Sequence, residues 1–364
     1  MFNLNFKDKY KVVHINNELG DFSIGGAGTY MNEIYRYRNG EEGFVYMNLC
    51  DPYADYRADG FLEQEDILVL HKDECYKLES IDCEIIVVQF YDFAYCLTDK
   101  LIRDKKIVYV VHSVPTPEPP PINDPFGGND DVRDKFDRLC NVANVIVCVS
   151  EAEKRKLSDI YPHYASKIKV VYNGITFGEE IIPNENYKSS RKVFGYIGRA
   201  DYRKGILECI RELRSIDCEL RIACPKNDEA YIKSILEYVE AANMQDRIKL
   251  YGWCVGKRKE KFLKSLDALI IPSLYEPFGY VALEAMQYGL PVITSRNGGL
   301  DEIFEGYKYK YNPYKRGELK KQIHDFQNDE NDEIEEQQRI MLENMKRFSS
   351  EKMSKKYKEI WYGI

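Results

Sequence analysis

Residues 270–303 read IIPSLYEPFGYVALEAMQYGLPVITSRNGGLDEI. The apolar run that ends at Pro272 has the composition of a buried strand, and the proline closes it. A short loop carries Glu276, and a helix starts near Pro277 to Gly279, because proline suits a first helical turn. A second apolar run, LPVITS, follows that helix. Strand, loop, helix and strand in this order make one unit of a parallel α/β layer.

The same rhythm extends in both directions. KVVHINN, CEIIVVQF, KIVYVVHS, NVIVCVS and KIKVVYNG recur in the first half between longer amphipathic stretches. After a polar stretch at about 176–190 it restarts with KVFGYIG, CELRIAC, RIKLYGW, ALIIPS and LPVITS. The pattern predicts an α/β protein of two doubly wound, Rossmann-like sheets joined near Asn173-Gly174-Ile175. A length of 364 residues with 44% apolar content is enough for two cores. The expected domains are 1–175 and 176–343, with 344–364 as a C-terminal helix. The charged tail from about 332 to 361 has helical period and places Met353, Tyr357, Ile360 and Trp361 on one side, as a docking helix would. Between Val114 and Asp131 the prolines of VPTPEPPPINDPFGGNDD preclude helix and central strand. That segment reads as a long loop, either a binding lid or a surface excursion.

Several function classes are excluded by composition. A net charge of -8 argues against nucleic acid as a partner, since a phosphate backbone asks for a broad cationic excess. Ten cysteines lie scattered without a Cys-x-x-Cys pair, against zinc or a disulfide framework. No apolar run reaches the roughly twenty residues of a membrane span, and the charged start does not read as a signal peptide. A cytoplasmic protein is expected. The run Lys257-Arg258-Lys259 leaves peripheral contact with anionic lipid open, but a solvated helix face accounts for it and it receives no role. A Gly-x-Gly-x-x-Gly fingerprint is absent and Gly25-Gly26-Ala27-Gly28 has other spacing, which disfavours a nicotinamide dehydrogenase.

Three glycine-rich turns are candidates for anion binding. Amides of Phe278, Gly279, Tyr280 and Val281 open the helix of the first-quoted stretch, at the positive end of its dipole. Glu276 just before it and Glu284 one and a half turns into it can accept from hydroxyl groups on either side of a bound diphosphate. In GYIGRADYRKGIL, Arg199 and Lys204 bracket a turn between a strand ending at Gly198 and a helix beginning around Gly205, a cationic pair suited to a diphosphate. Gly25 and Gly26 offer a third turn, equally readable as a tight strand-to-helix connection. His112 closes KIVYVVHS at the carboxyl edge where open sheets place ligands, and reads either as a packed, hydrogen-bonded residue or as a catalytic one.

These residues resemble the family-4 glycosyltransferases of the GT-B fold, over nearly the whole chain. The family's Glu-x7-Glu signature stands as Glu276 to Glu284 within EPFGYVALEA, followed by PVI-T and Gly298-Gly299-x-x-Glu302. GRADYRKG, Gly25-Gly26, His112-Ser113 and VVYNGI with Asn173 fall in the family's order, whereas Tyr280 stands where an aliphatic residue is commoner. The resemblance implies two Rossmann-like domains about a cleft, with a C-terminal helix returning to the first. It implies a retaining hexosyltransferase that takes a nucleotide-sugar, with UDP preferred over GDP and ADP, and an acceptor that is a saccharide, a lipid-linked saccharide, a protein or a small molecule. By resemblance Glu276 binds the transferred sugar, Glu284 the ribose, Arg199 and Lys204 the diphosphate, and Tyr251-Gly252-Trp253 the base. Gly25, Gly26 and Asn173 complete the donor site, and His112 approaches the hexose. Asp-x-Asp occurs nowhere in the chain, so no metal and no cofactor beyond the donor is expected. An epimerase or hydrolase on the same scaffold, or a non-catalytic sugar-nucleotide sensor, is the alternative.

Overall fold

The computed structural model describes residues 6–7, 9–20, 25–48, 66–115, 129–178, 181–188, 192–225 and 229–364. They form two compact units, one of residues 1–176 with 348–364 and one of residues 177–347.

The first unit holds strands β1 (Val12–Asn16), β2 (Glu42–Asn48), β3 (Ile67–His71), β4 (Ile85–Val88), β5 (Lys106–Val111), β6 (Val145–Cys148) and β7 (Ile168–Val170). They pair in the order β3-β2-β1-β4-β5-β6-β7, parallel throughout. Every residue of β1, β4 and β6 is buried, and β4 and β6 read as unbroken apolar runs, as strands covered on both faces do. Ile15, Val45, Val88, Val111, Phe93 and Phe136 belong to the resulting core. The strand order reverses direction between β1 and β4, and both β4 and β5 deliver their carboxyl ends beside that reversal.

The second unit repeats the plan with β8 (Lys192–Ile197), β9 (Cys218–Ala223), β10 (Ile248–Leu250), β11 (Ala268–Ile271), β12 (Val292–Ser295) and β13 (Lys310–Tyr311). The order is β10-β9-β8-β11-β12-β13, again parallel, with the reversal between β8 and β11. The loops after β8 and β11 are therefore neighbours.

The charged tail is two helices rather than one. Asn331–Met345 belongs to the second unit, and Ser350–Trp361 packs on the first after a break in which the Ser349 hydroxyl accepts from the Lys352 amide and caps the new helix. Met353, Tyr357 and Trp361 are buried on it and Ile360 is half-buried. Ser350 donates to Glu33 Oε2 at 2.7 Å, and the Gly174 amide donates to Met353 Sδ at 3.2 Å. This is the helix returning to the first domain that the resemblance implied. Among the described residues no helix is long and apolar enough to cross a membrane, and the cysteines are free thiols, buried except for the half-buried Cys75.

Candidate functional site

At the reversal of the second sheet the two loops are locked together. The Leu274 amide donates to the Arg203 carbonyl at 2.7 Å, tying the loop after β11 to the loop after β8. Gly205, at φ +64°, leads into the helix Ile206–Glu212 and packs so tightly that a Cβ there would stand 2.1 Å from the Pro272 carbonyl oxygen. Only glycine meets both demands. Gly298, at φ +69°, plays the matching part after β12: a Cβ would lie 2.1 Å from the Glu276 carbonyl oxygen, which accepts from the Gly299 amide at 2.8 Å. Three loops thus clasp Glu276.

The side chains follow from that clasp. Lys204 Nζ lies 2.5 Å from Glu276 Oε2, with each side chain under one-fifth exposed, and Ser273 Oγ donates to the same oxygen at 3.3 Å. Arg199 is half exposed, 3.7 Å from Asp201, and its carbonyl accepts from the buried Tyr196 hydroxyl at 2.6 Å. Burial pushes the Tyr196 phenol well above its ordinary pKa, so it stays a neutral donor that fixes the turn. The helix Tyr280–Met286 starts after Gly279 at φ +117°, and the side chains of Phe278 and Tyr280 are buried with their rings 5.4 Å apart. Val281 is half-buried in its first turn. The first amides of such a helix have no intrahelical acceptor and face the incoming loop.

Glu284, within the helix Tyr280–Met286, is paired from another helix. Lys259 Nζ sits 2.7 Å from Glu284 Oε1, from the helix Gly256–Lys264. The basic run that the sequence left without a role is therefore used: Arg258 donates to the Tyr251 carbonyl at 2.5 Å, so one helix holds both Glu284 and the turn Tyr251-Gly252-Trp253. In that turn Tyr251 is 39% exposed, with the Arg221 guanidinium 5.8 Å from its ring centre, Gly252 is exposed at φ +67° and Trp253 is half-buried. An exposed aromatic edge beside a held carboxylate and a cationic loop suits, in order, a flat base, a ribose and a diphosphate.

The remaining candidates lie in the first unit. Gly25, exposed at φ +114°, precedes the helix Gly26–Arg36, and Gly26 is exposed. Asn173 is buried, and its carboxamide oxygen has no partner among the described residues. His112 follows β5; its Nε2 is 3.1 Å from Gln89 Oε1 and its ring is edge-on to Tyr30 at 4.8 Å. Burial lowers its pKa to about 4, so the imidazole is neutral near pH 7. Most of the Val114–Asp131 segment lies outside the described residues.

Residues 178–348 match the family model Glycosyl transferases group 1, and residues 75–177 match Glycosyltransferase Family 4. The chain belongs to these glycosyltransferases. An uncharacterized glycosyltransferase of Methanocaldococcus jannaschii is 33% identical over 44% of this chain and 44% of its own length. The glycogen synthase of Mycobacterium tuberculosis is 25% identical over 45% of this chain and 40% of its own. The chain spans about half the length of the curated relatives it matches, or less. Over the whole fold the likeness is wider. Anabaena HepE, solved in complex with UDP-glucose, superposes with a TM-score of 0.77 over 97% of this glycosyltransferase and 100% of that chain, at 16% identity. Sucrose-phosphate synthase from Thermosynechococcus elongatus does so with a TM-score of 0.73, covering 97% and 98% of the two chains at 16% identity. Both establish the GT-B fold.

Proposed function

We propose that this glycosyltransferase is a retaining, metal-independent enzyme that moves a hexose from a UDP-sugar to an acceptor hydroxyl. The observation that carries the reading is the contact between Lys204 and Glu276, 72 positions apart in sequence and 2.5 Å apart in space at the sheet reversal. It sets a cation for the leaving diphosphate beside a carboxylate for the sugar's hydroxyls. The complex of Anabaena HepE with UDP-glucose supports the choice of UDP.

In this reaction the bond from the sugar's anomeric carbon to the phosphate oxygen breaks while the acceptor oxygen attacks from the same face. The acceptor's proton passes to a diphosphate oxygen. Lys204, Arg199 and the amides opening the helix Tyr280–Met286 stabilise the charge that develops on the leaving group, in place of a divalent ion. Glu276 accepts from sugar hydroxyls, and its charge favours the oxocarbenium-like centre. Glu284, held by Lys259, accepts from the ribose, and Tyr251 to Trp253 receive the base.

Transfer from UDP-glucose and UDP-galactose to a saccharide panel, with excess EDTA, tests the reading. Product should form without added metal and keep the donor's anomeric configuration. Activity that vanishes with chelation and returns with magnesium would overturn metal independence; free sugar released quickly from donor alone, with no transfer product, would make the chain a hydrolase.

A further inference from the structure

Behind His112 the first unit buries a line of polar side chains that the proposed chemistry does not use. His14 on β1, Glu42 on β2 and Gln89 just after β4 are each under 5% exposed. Glu42 Oε2 is 3.1 Å from His14 Nε2, His14 Nδ1 is 3.5 Å from Gln89 Nε2, and Gln89 Oε1 is 3.1 Å from His112 Nε2. Rings enclose the line: Phe44 stacks on His14 at 4.8 Å, Trp361 meets it edge-on at 5.8 Å, and Phe90 lies 5.4 Å from His112. Burying this many polar groups is costly unless each is satisfied, so their order is constrained.

That order can be read from the Gln89 amide. Its nitrogen only donates, so His14 Nδ1 accepts and the His14 ring carries its one hydrogen on Nε2, toward Glu42. The Gln89 carbonyl oxygen then faces His112 Nε2, which must donate. We infer that Glu42, His14 and Gln89 set the tautomer of His112, placing its proton on Nε2 and presenting Nδ1 as a lone pair to a substrate hydroxyl at the carboxyl edge of the first sheet. The use of the lone pair rests on the proposed glycosyl transfer; the tautomer does not.

Two further facts fit. His112 Nδ1 has no hydrogen-bond partner among the described residues. The neutral, half-buried ring is too weak a base near pH 7 to remove a hydroxyl proton, so a hydrogen-bond acceptor is the part it can play. Glu42, His14 and Gln89 are positioning residues, acting through His112 alone.

Nitrogen-15 spectra of the full chain labelled in histidine, recorded at pH 7 without ligand, read the tautomer directly, with the His112 signals assigned by their loss in His112→Asn. The expected pattern is a neutral ring with Nε2 protonated. A ring protonated on Nδ1, with His14 carrying both hydrogens, would overturn the inference, and so would equal averaging between the two tautomers. Gln89→Met should release the tautomer toward averaging and lower transfer kcat roughly tenfold with donor KM little changed, while Gln89→Glu, which keeps an acceptor at Nε2, should restore the Nε2–H pattern. An unchanged tautomer in a folded Gln89→Met chain would also overturn it. An Nε2–H ring in the wild type together with full transfer by His112→Asn would uphold the tautomer and overturn the use of its lone pair.

Discussion

Glu276 and Glu284 are eight positions apart in one signature, yet each is held by its own cation, Lys204 at 2.5 Å and Lys259 at 2.7 Å. The difference bears on how their variants should fail. In the proposed reaction Glu276 faces the centre that becomes positive in the transition state, so Glu276→Gln should lower kcat by roughly a hundredfold with UDP still bound. Glu284 is proposed to face a ribose, which changes little during reaction. Glu284→Gln should therefore raise donor KM roughly tenfold and weaken UDP to the same degree, with kcat nearly kept. Steady-state kinetics of the two variants check this, and equal losses in kcat for both would contradict the division. The spacing of the two carboxylates was legible in the sequence because it is local. Lys259 was not, because 25 positions separate it from Glu284 and only the packing of two helices brings them together. The same holds for His14 and Glu42, which meet across neighbouring strands whose pairing no sequence pattern announces.

At the level of elements, β4 and β6 were legible as unbroken apolar runs, because burial on both faces demands them. EGFVYMN of β2 and ILVLH of β3 passed unread. β2 opens on Glu42 and Gly43 before its apolar residues, and β3 lies at the sheet edge. The tail read as one continuous helix, since nothing in its period marks the break; the stop is a hydroxyl cap at Ser349, visible only once the chain turns there. The loops around the proposed donor site depend on glycine where geometry leaves no alternative. Gly205→Ala would need a left-handed backbone at an alanine and a Cβ 2.1 Å from the Pro272 oxygen. It should cost about 2 kcal/mol or more in stability and should displace Lys204, its chain neighbour, so activity falls further than stability does. Thermal melts paired with kinetics decide it, and an alanine variant with normal melting and turnover would show that the clasp is unimportant.

Across the whole molecule the two halves share one plan, a parallel sheet whose order reverses where loops deliver functional side chains. The chain completes the first half with its last helix, which buries Met353, Tyr357 and Trp361 and satisfies Glu33 through Ser350. Deleting residues 350–364 exposes that apolar surface and leaves a buried carboxylate with one partner fewer. Full burial of a large apolar side chain contributes about 2 kcal/mol, so the truncated chain should lose most of the first unit's stability, seen as a lower first transition in calorimetry. A melt indistinguishable from the intact chain would mean that the helix only decorates the surface.

The central claim is that a nucleoside diphosphate binds at the reversal of the second sheet, held by side chains in place of metal. Calorimetric titration of the intact chain with UDP, in excess EDTA, tests it most directly. Saturable binding is expected, weakened at least tenfold in Lys204→Ala and in Glu284→Gln while Glu276→Gln still binds. Failure to bind UDP, GDP or ADP without a divalent ion, or equal affinity in the wild type and Lys204→Ala, would contradict it.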